Sequence, residues 1–300
     1  ECQVMDYNQG IANSFYDQAP EIMKVFEALY GEFPWWSDGC RFIESTFSAM
    51  EHQSGIAMGD DYNYDWEDYN LTLVHELSHE WWGNNITAYD YCDAWIHEGL
   101  ATYSEALFLE KVYGEKAYDQ RVKQFYYGTA NKIPIRKVCG VKYSSWISYD
   151  DMDIYDKGGL LMHSLRVLVD NDALFFRALF EFQKDLARTN ISSDHFIQKF
   201  NNILGNDYSV LFDIYLNDTD PPYLDVYIDV NENGKKKYYY KWQNPLPFKL
   251  TNGLSVKVNK EELKIYPTTE FQFIEYESLE LLFPNSIYFL PQKYDLKKDN

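Results

Sequence analysis

Asn70-Leu71-Thr72-Leu73-Val74-His75-Glu76-Leu77-Ser78-His79 decides how this chain is read. A helical pattern runs from Leu71 to about Asn84. Successive helical residues advance by ~100°, so two histidines four apart lie only ~40° from one another around the axis. Both imidazoles can therefore reach one ion. Glu76 follows the first histidine, projects to the side of that ion, and can contact a water there. Without further support, the same spacing also describes two ordinary histidines on a packed helix.

A third ligand candidate supplies that support. Glu98 follows His79 after eighteen intervening residues. That interval fits the end of one helix, a turn at Gly83-Asn84-Asn85, and the first turns of an antiparallel helix running from Ala94 to Tyr113. The second helix would return Glu98 to the side of the first. Two histidines and one glutamate leave a fourth zinc position open for water, as catalysis requires. The pattern His75-Glu-x-x-His79 is the HExxH arrangement, with the glutamate as general base.

His75 to Asn84 (HELSHEWWGN) together with His97 to Glu105 (HEGLATYSE) resembles the gluzincin zinc aminopeptidase family, which includes aminopeptidase N, the alanyl aminopeptidases and the leukotriene-epoxide hydrolase type. Ser48-Ala-Met-Glu-His-Gln53 resembles the family's Gly-x-Met-Glu-Asn exopeptidase motif, with Ser48 and His52 where Gly and Asn are usual. The resemblance implies that Glu51 binds the free α-amine of a substrate. It also implies that the backbone around Ala49 and Met50 pairs with the peptide as an added strand. Ile154-Tyr-Asp-Lys-Gly-Gly159 resembles the family's Tyr-Glu-Lys-Gly segment, which carries the role of oxyanion donor to Tyr155. A phenol suits that role, being neutral at pH 7 with an ordinary pKa of ~10.

The resemblance further implies a mainly helical, thermolysin-like catalytic domain and a small β-sandwich domain, an α+β protein overall. It implies one Zn²⁺ per chain, and peptides with a free amino terminus as substrates. Family members carry a β-rich domain before this point and many carry a helical one after it, so the chain reads as a fragment or processed piece. Met50-Glu51-His52-Gln53 resembles bacterial members, many of them exported, and leans toward a periplasmic or secreted location.

Other residues carry two readings each. His97 adjoins Glu98 but is turned ~100° from it, which favours packing or support over ligation. Glu105 lies on the Glu98 face, and either accepts a hydrogen bond from a ligand histidine or is an exposed carboxylate. His163 and His195 have no partner pattern and read as structural. Trp81 and Trp82 read as core, and Gly158 and Gly159 as points of close helix approach. The acidic loop Asp60 to Asp68 fits no standard calcium spacing.

Elsewhere, helical periodicity marks about Ile11 to Tyr30, ending at Gly31, then Tyr118–Tyr127, Asp151–Asp170, Ala173–Thr189, Ser193–Leu204 and Ser209–Tyr215. Phe47 to Ile56 reads as a strand or extended edge. Past Asn217-Asp-Thr-Asp-Pro-Pro222 the period becomes two: Tyr223–Val230, a turn at Asn233-Gly234, Lys237–Trp242, Leu254–Val258 and Glu270–Tyr276. The expected division is residues 1–220 as the zinc peptidase domain and 221–300 as the β-sandwich domain.

A net charge of −20 disfavours nucleic-acid phosphates. No run approaches the ~20 apolar residues that span a bilayer. Cys2, Cys40, Cys92 and Cys139 form no CxxC pair and read as buried free thiols, with one or two disulfides as the alternative. The expected activity is aminopeptidase. Epoxide hydrolysis, zinc endopeptidase action and an inactive peptide-binding fragment stand as alternatives.

Overall fold

The computed structural model describes residues 1–141, 152–219, 223–230, 236–243, 253–258, 261–276, 281–282 and 294–296. The chain opens with β1 (Cys2–Gln3), α1 (Gln9–Tyr16) and α2 (Ala19–Tyr30), followed by β2 (Arg41–Glu44), β3 (Ala49–Met50) and β4 (Gly55–Met58). Helix α3 (Leu71–Ser78), strand β5 (Ile86–Ala88) and helices α4 (Trp95–Tyr113), α5 (Glu115–Gly128), α6 (Asp153–Val169) and α7 (Asp172–Asp185) come next. Strand β6 (Thr189–Ile191), α8 (Ser193–Leu204) and α9 (Ser209–Asn217) complete the helical part.

The expected Ile11–Tyr30 helix is two helices. Pro20 lacks a backbone N–H and suits a first helical turn, which is where α2 places it. Gly31 ends α2 at φ 98°, a conformation that favours glycine. The expected Phe47–Ile56 strand also divides. His52 to Gly55 turn back, with Ser54 at φ 57° and its N–H donated to a carboxylate oxygen of Glu80 at 2.8 Å. The first sheet has the order β1-β2-β4-β3, so β3 is an edge strand among the described residues. It pairs antiparallel with β4 through Ala49↔Met58 and Met50↔Ala57.

Helix α4 crosses the middle of the molecule. Its buried residues run from Trp95 to Leu109 and lie on every face, as in an enclosed helix, with Trp95, Leu100, Tyr103, Leu107 and Phe108 among them. Its closest crossing is with α6. A Cβ built on either Gly99 or Gly158 would lie 2.7 Å from the other's Cα, closer than real side chains come. Two glycines thus bring together the helix carrying Glu98 and the one carrying Tyr155.

Beyond residue 222, β7 (Tyr223–Val230) and β8 (Lys236–Gln243) pair antiparallel from Tyr223↔Gln243 to Val230↔Lys236. The Asn233-Gly234 turn lies outside the described residues. With β9 (Leu254–Val258), β10 (Glu261–Ile265), β11 (Gln272–Tyr276), β12 (Leu281–Leu282) and β13 (Tyr294–Leu296) they form sheets of order β11-β8-β7-β13 and β10-β9-β12. Secondary structure is therefore mixed, helices first and strands after. The free-thiol reading of the cysteines is corrected in part: Cys92 and Cys139 form a disulfide, while Cys2 and Cys40 are free. No described helix is long and apolar enough to cross a membrane.

Candidate active site

Helix α3 begins at Asn70, whose side-chain oxygen accepts the Leu73 N–H and caps the first turn. It ends at Ser78, earlier than the expected Asn84. His79 keeps helical backbone angles as the C-cap, so the 40° relation to His75 survives. The chain then turns tightly, and Gly83 at φ 122° faces the His79 and His97 rings. Trp81 and Trp82 are fully buried, as expected, and anchor this turn.

The turn fixes the tautomer of His79, and Glu105 of α4 fixes that of His75. His79 Nδ1 donates to the Trp82 carbonyl at 2.7 Å, and His75 Nδ1 donates to Glu105 Oε1 at 2.9 Å. Each Nε2 then presents a lone pair inward. The two Nε2 atoms are 3.0 Å apart, and Glu98 Oε2 lies 3.3 Å from His75 Nε2 and 3.4 Å from His79 Nε2. A tetrahedral ion with bonds of about 2.0–2.2 Å spaces its donors by about 3.3–3.6 Å. The donor set fits zinc, as do the two distances to Glu98, while the two Nε2 atoms lie about 0.3 Å closer than that spacing. Electrostatics agree. Burial depresses the pKa of His75, but Glu105 and Glu98 outweigh it and leave the net shift upward, so a proton and a metal compete for its inward lone pair. His79 behaves alike, with Glu98 overcoming burial. Burial pushes Glu98 up, yet the two histidines hold it far below the carboxylate range. The cluster is built to hold positive charge.

Glu76 lies beside it. Burial pushes its pKa up to about 7 against the pull of His75 and His79. Its Oε2 is buried with no hydrogen-bond partner among the described residues. One donor atom each from Glu51, Glu76 and His79 lie within 4.8 Å of one another, so the structure brings Glu51 to this centre. The Glu51 carbonyl accepts from Asn84 Nδ2 at 2.8 Å, which ties β3 to the turn after α3. The Tyr155 ring lies 5.8 Å from the His75 ring, centroid to centroid. Burial first, then Glu98, Glu51 and Glu76, raise its pKa, so the phenol keeps its proton. Ser48, Ala49, Met50, Trp66 and Gln124 help to line the cavity, about 850 Å³, that holds the cluster.

Glu105 is buried and engages a histidine, which settles its two readings. His97 accepts the Ala88 N–H at 2.7 Å, with its pKa pushed down to about 4 by burial; it fastens β5 and stays neutral. His163 is buried against Tyr118, at 2.6 Å, and the His195 backbone N–H belongs to the cap of α8. Sequence reasoning missed Arg121, which reaches Glu105 from α5. No motif surrounds it, and only the packing of α5 on α4 reveals it.

A helical frame with two histidines of one helix, a glutamate of the next and a second glutamate alongside defines the HExxH metallopeptidase class. Residues 41–215 match the peptidase family M1 domain, and the chain belongs to that family. It is similar to aminopeptidase RNPEPL1 of Homo sapiens, 30% identical over 100 residues that make up 31% of this chain and 13% of that protein. It is also similar to endoplasmic reticulum aminopeptidase 2 of Homo sapiens, 24% identical over 128 residues, 41% of this chain and 13% of that one. The chain thus matches about an eighth of the length of these relatives. Among solved structures, Legionella pneumophila aminopeptidase A in complex with aspartic acid superposes with a TM-score of 0.67 at 15% identity, over 99% of this chain and 36% of that chain. The M1 zinc metallopeptidase of Deinococcus radiodurans superposes at 0.55 and 21% identity, over 68% and 44%. Both likenesses are of fold.

Proposed function

We propose that this chain is the catalytic part of a zinc-dependent aminopeptidase, removing the amino-terminal residue from peptides. His75, His79 and Glu98 hold one Zn²⁺. The observation that carries the reading is the triangle of their donor atoms beside the unpartnered carboxylate oxygen of Glu76. The relatives named aminopeptidases support it.

When bound, zinc supplies Lewis acidity toward the scissile carbonyl and acidifies water in the site. Glu76 takes a proton from the attacking water and delivers it to the leaving amine. Tyr155 donates its phenolic proton as a hydrogen bond to the developing oxyanion. Glu51 pairs with the substrate's ammonium group, while Ala49 and Met50 offer the open edge of β3 to the peptide backbone. Fixing the amine at one distance from the metal limits cleavage to one residue. The closeness of Glu51 to Glu76 and His79 favours this over endopeptidase action. The Cys92–Cys139 disulfide supports an oxidising compartment, periplasmic or secreted.

Hydrolysis of aminoacyl-p-nitroanilides, with an acetyl-blocked control, tests the proposal. Chelator-sensitive, zinc-restored cleavage of only the free-amine substrates is expected. Equal cleavage of the blocked substrate would replace the exopeptidase reading with an endopeptidase one.

A further inference from the structure

We propose that Arg121 is a positioning residue of the metal site, acting through Glu105 to fix the ring of His75. The inference rests on the proposed zinc site. Glu105 is buried and divides its two oxygens between different partners. Oε1 accepts from His75 Nδ1 at 2.9 Å. Oε2 accepts from Arg121 Nε at 2.9 Å and from its Nη2 at 2.6 Å. A carboxylate held by the imidazole alone can turn about its last side-chain bond. With a planar guanidinium fork on the other oxygen, its plane is set. Because Oε1 then faces Nδ1 in one orientation, the imidazole is aimed and Nε2 points at the donor cluster.

Arg121 is itself held from several sides. Its Nη1 donates to Gln124 Oε1 at 2.8 Å, and its guanidinium carbon lies 4.7 Å from the centre of the Phe125 ring. Phe125 in turn packs on Gly159 of α6, where a Cβ would meet the ring at 3.2 Å. A continuous chain of contacts therefore runs from α6 through Phe125, Arg121 and Glu105 to a metal ligand. The Arg121 side chain is 19% exposed, and one face of it borders the active-site cavity. A substrate-binding cation would use that same face. Here, though, each of its three nitrogens already donates, Nε and Nη2 to Glu105 and Nη1 to Gln124, which favours the positioning role.

The test is zinc affinity, measured by competition with a chromophoric chelator on the whole chain, for the parent, Arg121→Met, Arg121→Lys and Glu105→Gln. Outer partners of metal-binding histidines typically affect metal affinity by about 10–100-fold. Arg121→Met is expected to weaken zinc within that range, with the melting temperature of the metal-free protein little changed. Arg121→Lys, which keeps the charge without the fork, should recover only part of the loss. In the Arg121→Met/Glu105→Gln double variant the losses should fall short of the sum, because one path carries both. Parent-like zinc affinity in Arg121→Met, with or without a higher KM, would overturn the inference. So would losses that add. If the parent cleaves free-amine substrates with zinc while Arg121→Met binds zinc equally well, only this inference fails. A parent that binds no zinc overturns both it and the proposed function.

Discussion

Glu76 is held at a pKa of about 7 by two opposed influences, burial raising it and the histidines lowering it. A general base works only when deprotonated, so activity should rise with pH as Glu76 loses its proton. A bound cation takes over the pull of the histidines, which are neutral when they ligate, so the rise should be absent from the zinc-free protein and move when the metal is exchanged. The acidic limb of a kcat/KM profile, followed in the parent and in Glu76→Gln, measures this. The variant should keep its zinc, lose about 10²–10⁴ of turnover and lack the limb; parent-like turnover in a zinc-loaded Glu76→Gln protein excludes Glu76 as the base. Glu51 should behave differently. Losing a charge-assisted hydrogen bond of about 1.5–3 kcal/mol in Glu51→Gln should lower kcat/KM about 10–100-fold for free-amine substrates and leave zinc affinity in place. The pairing of His75 with His79 was legible in the sequence because helix geometry is local and periodic, and Glu98 because its interval and the motif around it resemble a known family. Arg121 was not, since no motif surrounds it and only the packing of α5 on α4 brings it to Glu105.

Elements were legible where one periodicity ran unbroken. Ser193–Leu204 and Leu254–Val258 match the expected bounds. Local pattern fell short where side-chain interactions redirect the backbone. Helix α3 stops at Ser78 because the groups beyond it are committed elsewhere: the Trp82 carbonyl to His79, the His79 carbonyl to the Asn84 N–H, and two tryptophans to the core. The strand expected through Phe47–Ile56 breaks because the Glu80 carboxylate takes the Ser54 N–H, an attraction invisible in local pattern. The pair of glycines at 158 and 159 was read as a close approach; the partner of Gly158 is Gly99, next to a proposed ligand, and that of Gly159 is the Phe125 ring. Gly158→Ala should therefore destabilise the protein by about 1–3 kcal/mol through overpacking and lower kcat by shifting Tyr155 relative to Glu98. Gly10→Ala is a suitable contrast. Gly10 also sits in a helix, with nothing within 4 Å of its would-be Cβ, and alanine there should stabilise by up to about 1 kcal/mol. Thermal melts of the two variants decide the matter, and equal melting temperatures would discount the crossing as a constraint.

At the scale of the molecule, the change from period 3.6 to period 2 near residue 220 was legible because amphipathic helices and pleated strands bury opposite patterns. We propose that it marks the boundary between domains 1–220 and 221–300. The pairing of cysteines was not legible, since spacing in sequence says nothing of distance in space. Cys92 precedes α4 and Cys139 follows α5, so the disulfide closes a loop of 47 residues around the two helices that carry Glu98, Glu105 and Arg121. Further bonds tie the same ends: the Lys137 N–H to the Cys92 carbonyl at 3.0 Å, and the Gly140 N–H to Asp90 Oδ2 at 3.0 Å. A crosslink over such a loop restricts the unfolded chain, and the loop-entropy relation puts its worth at about 4 kcal/mol, within a typical range of about 2–4 kcal/mol and open to loss by strain. Cys139→Ser should therefore lower the midpoint of denaturant unfolding substantially, and a reducing agent should lower the parent's midpoint to the same place. Zinc should restore part of the loss. The proposed ligands lie on both sides of Cys92 in sequence, and a metal that binds only the folded state stabilises it by mass action. An unchanged midpoint in Cys139→Ser would mean that the hydrogen bonds around Asp90 and Cys92 hold the loop without the crosslink. A lowered midpoint with undiminished zinc affinity would place the disulfide's contribution in the unfolded chain, leaving the geometry of the site to the packing of α4 against α5 and α6.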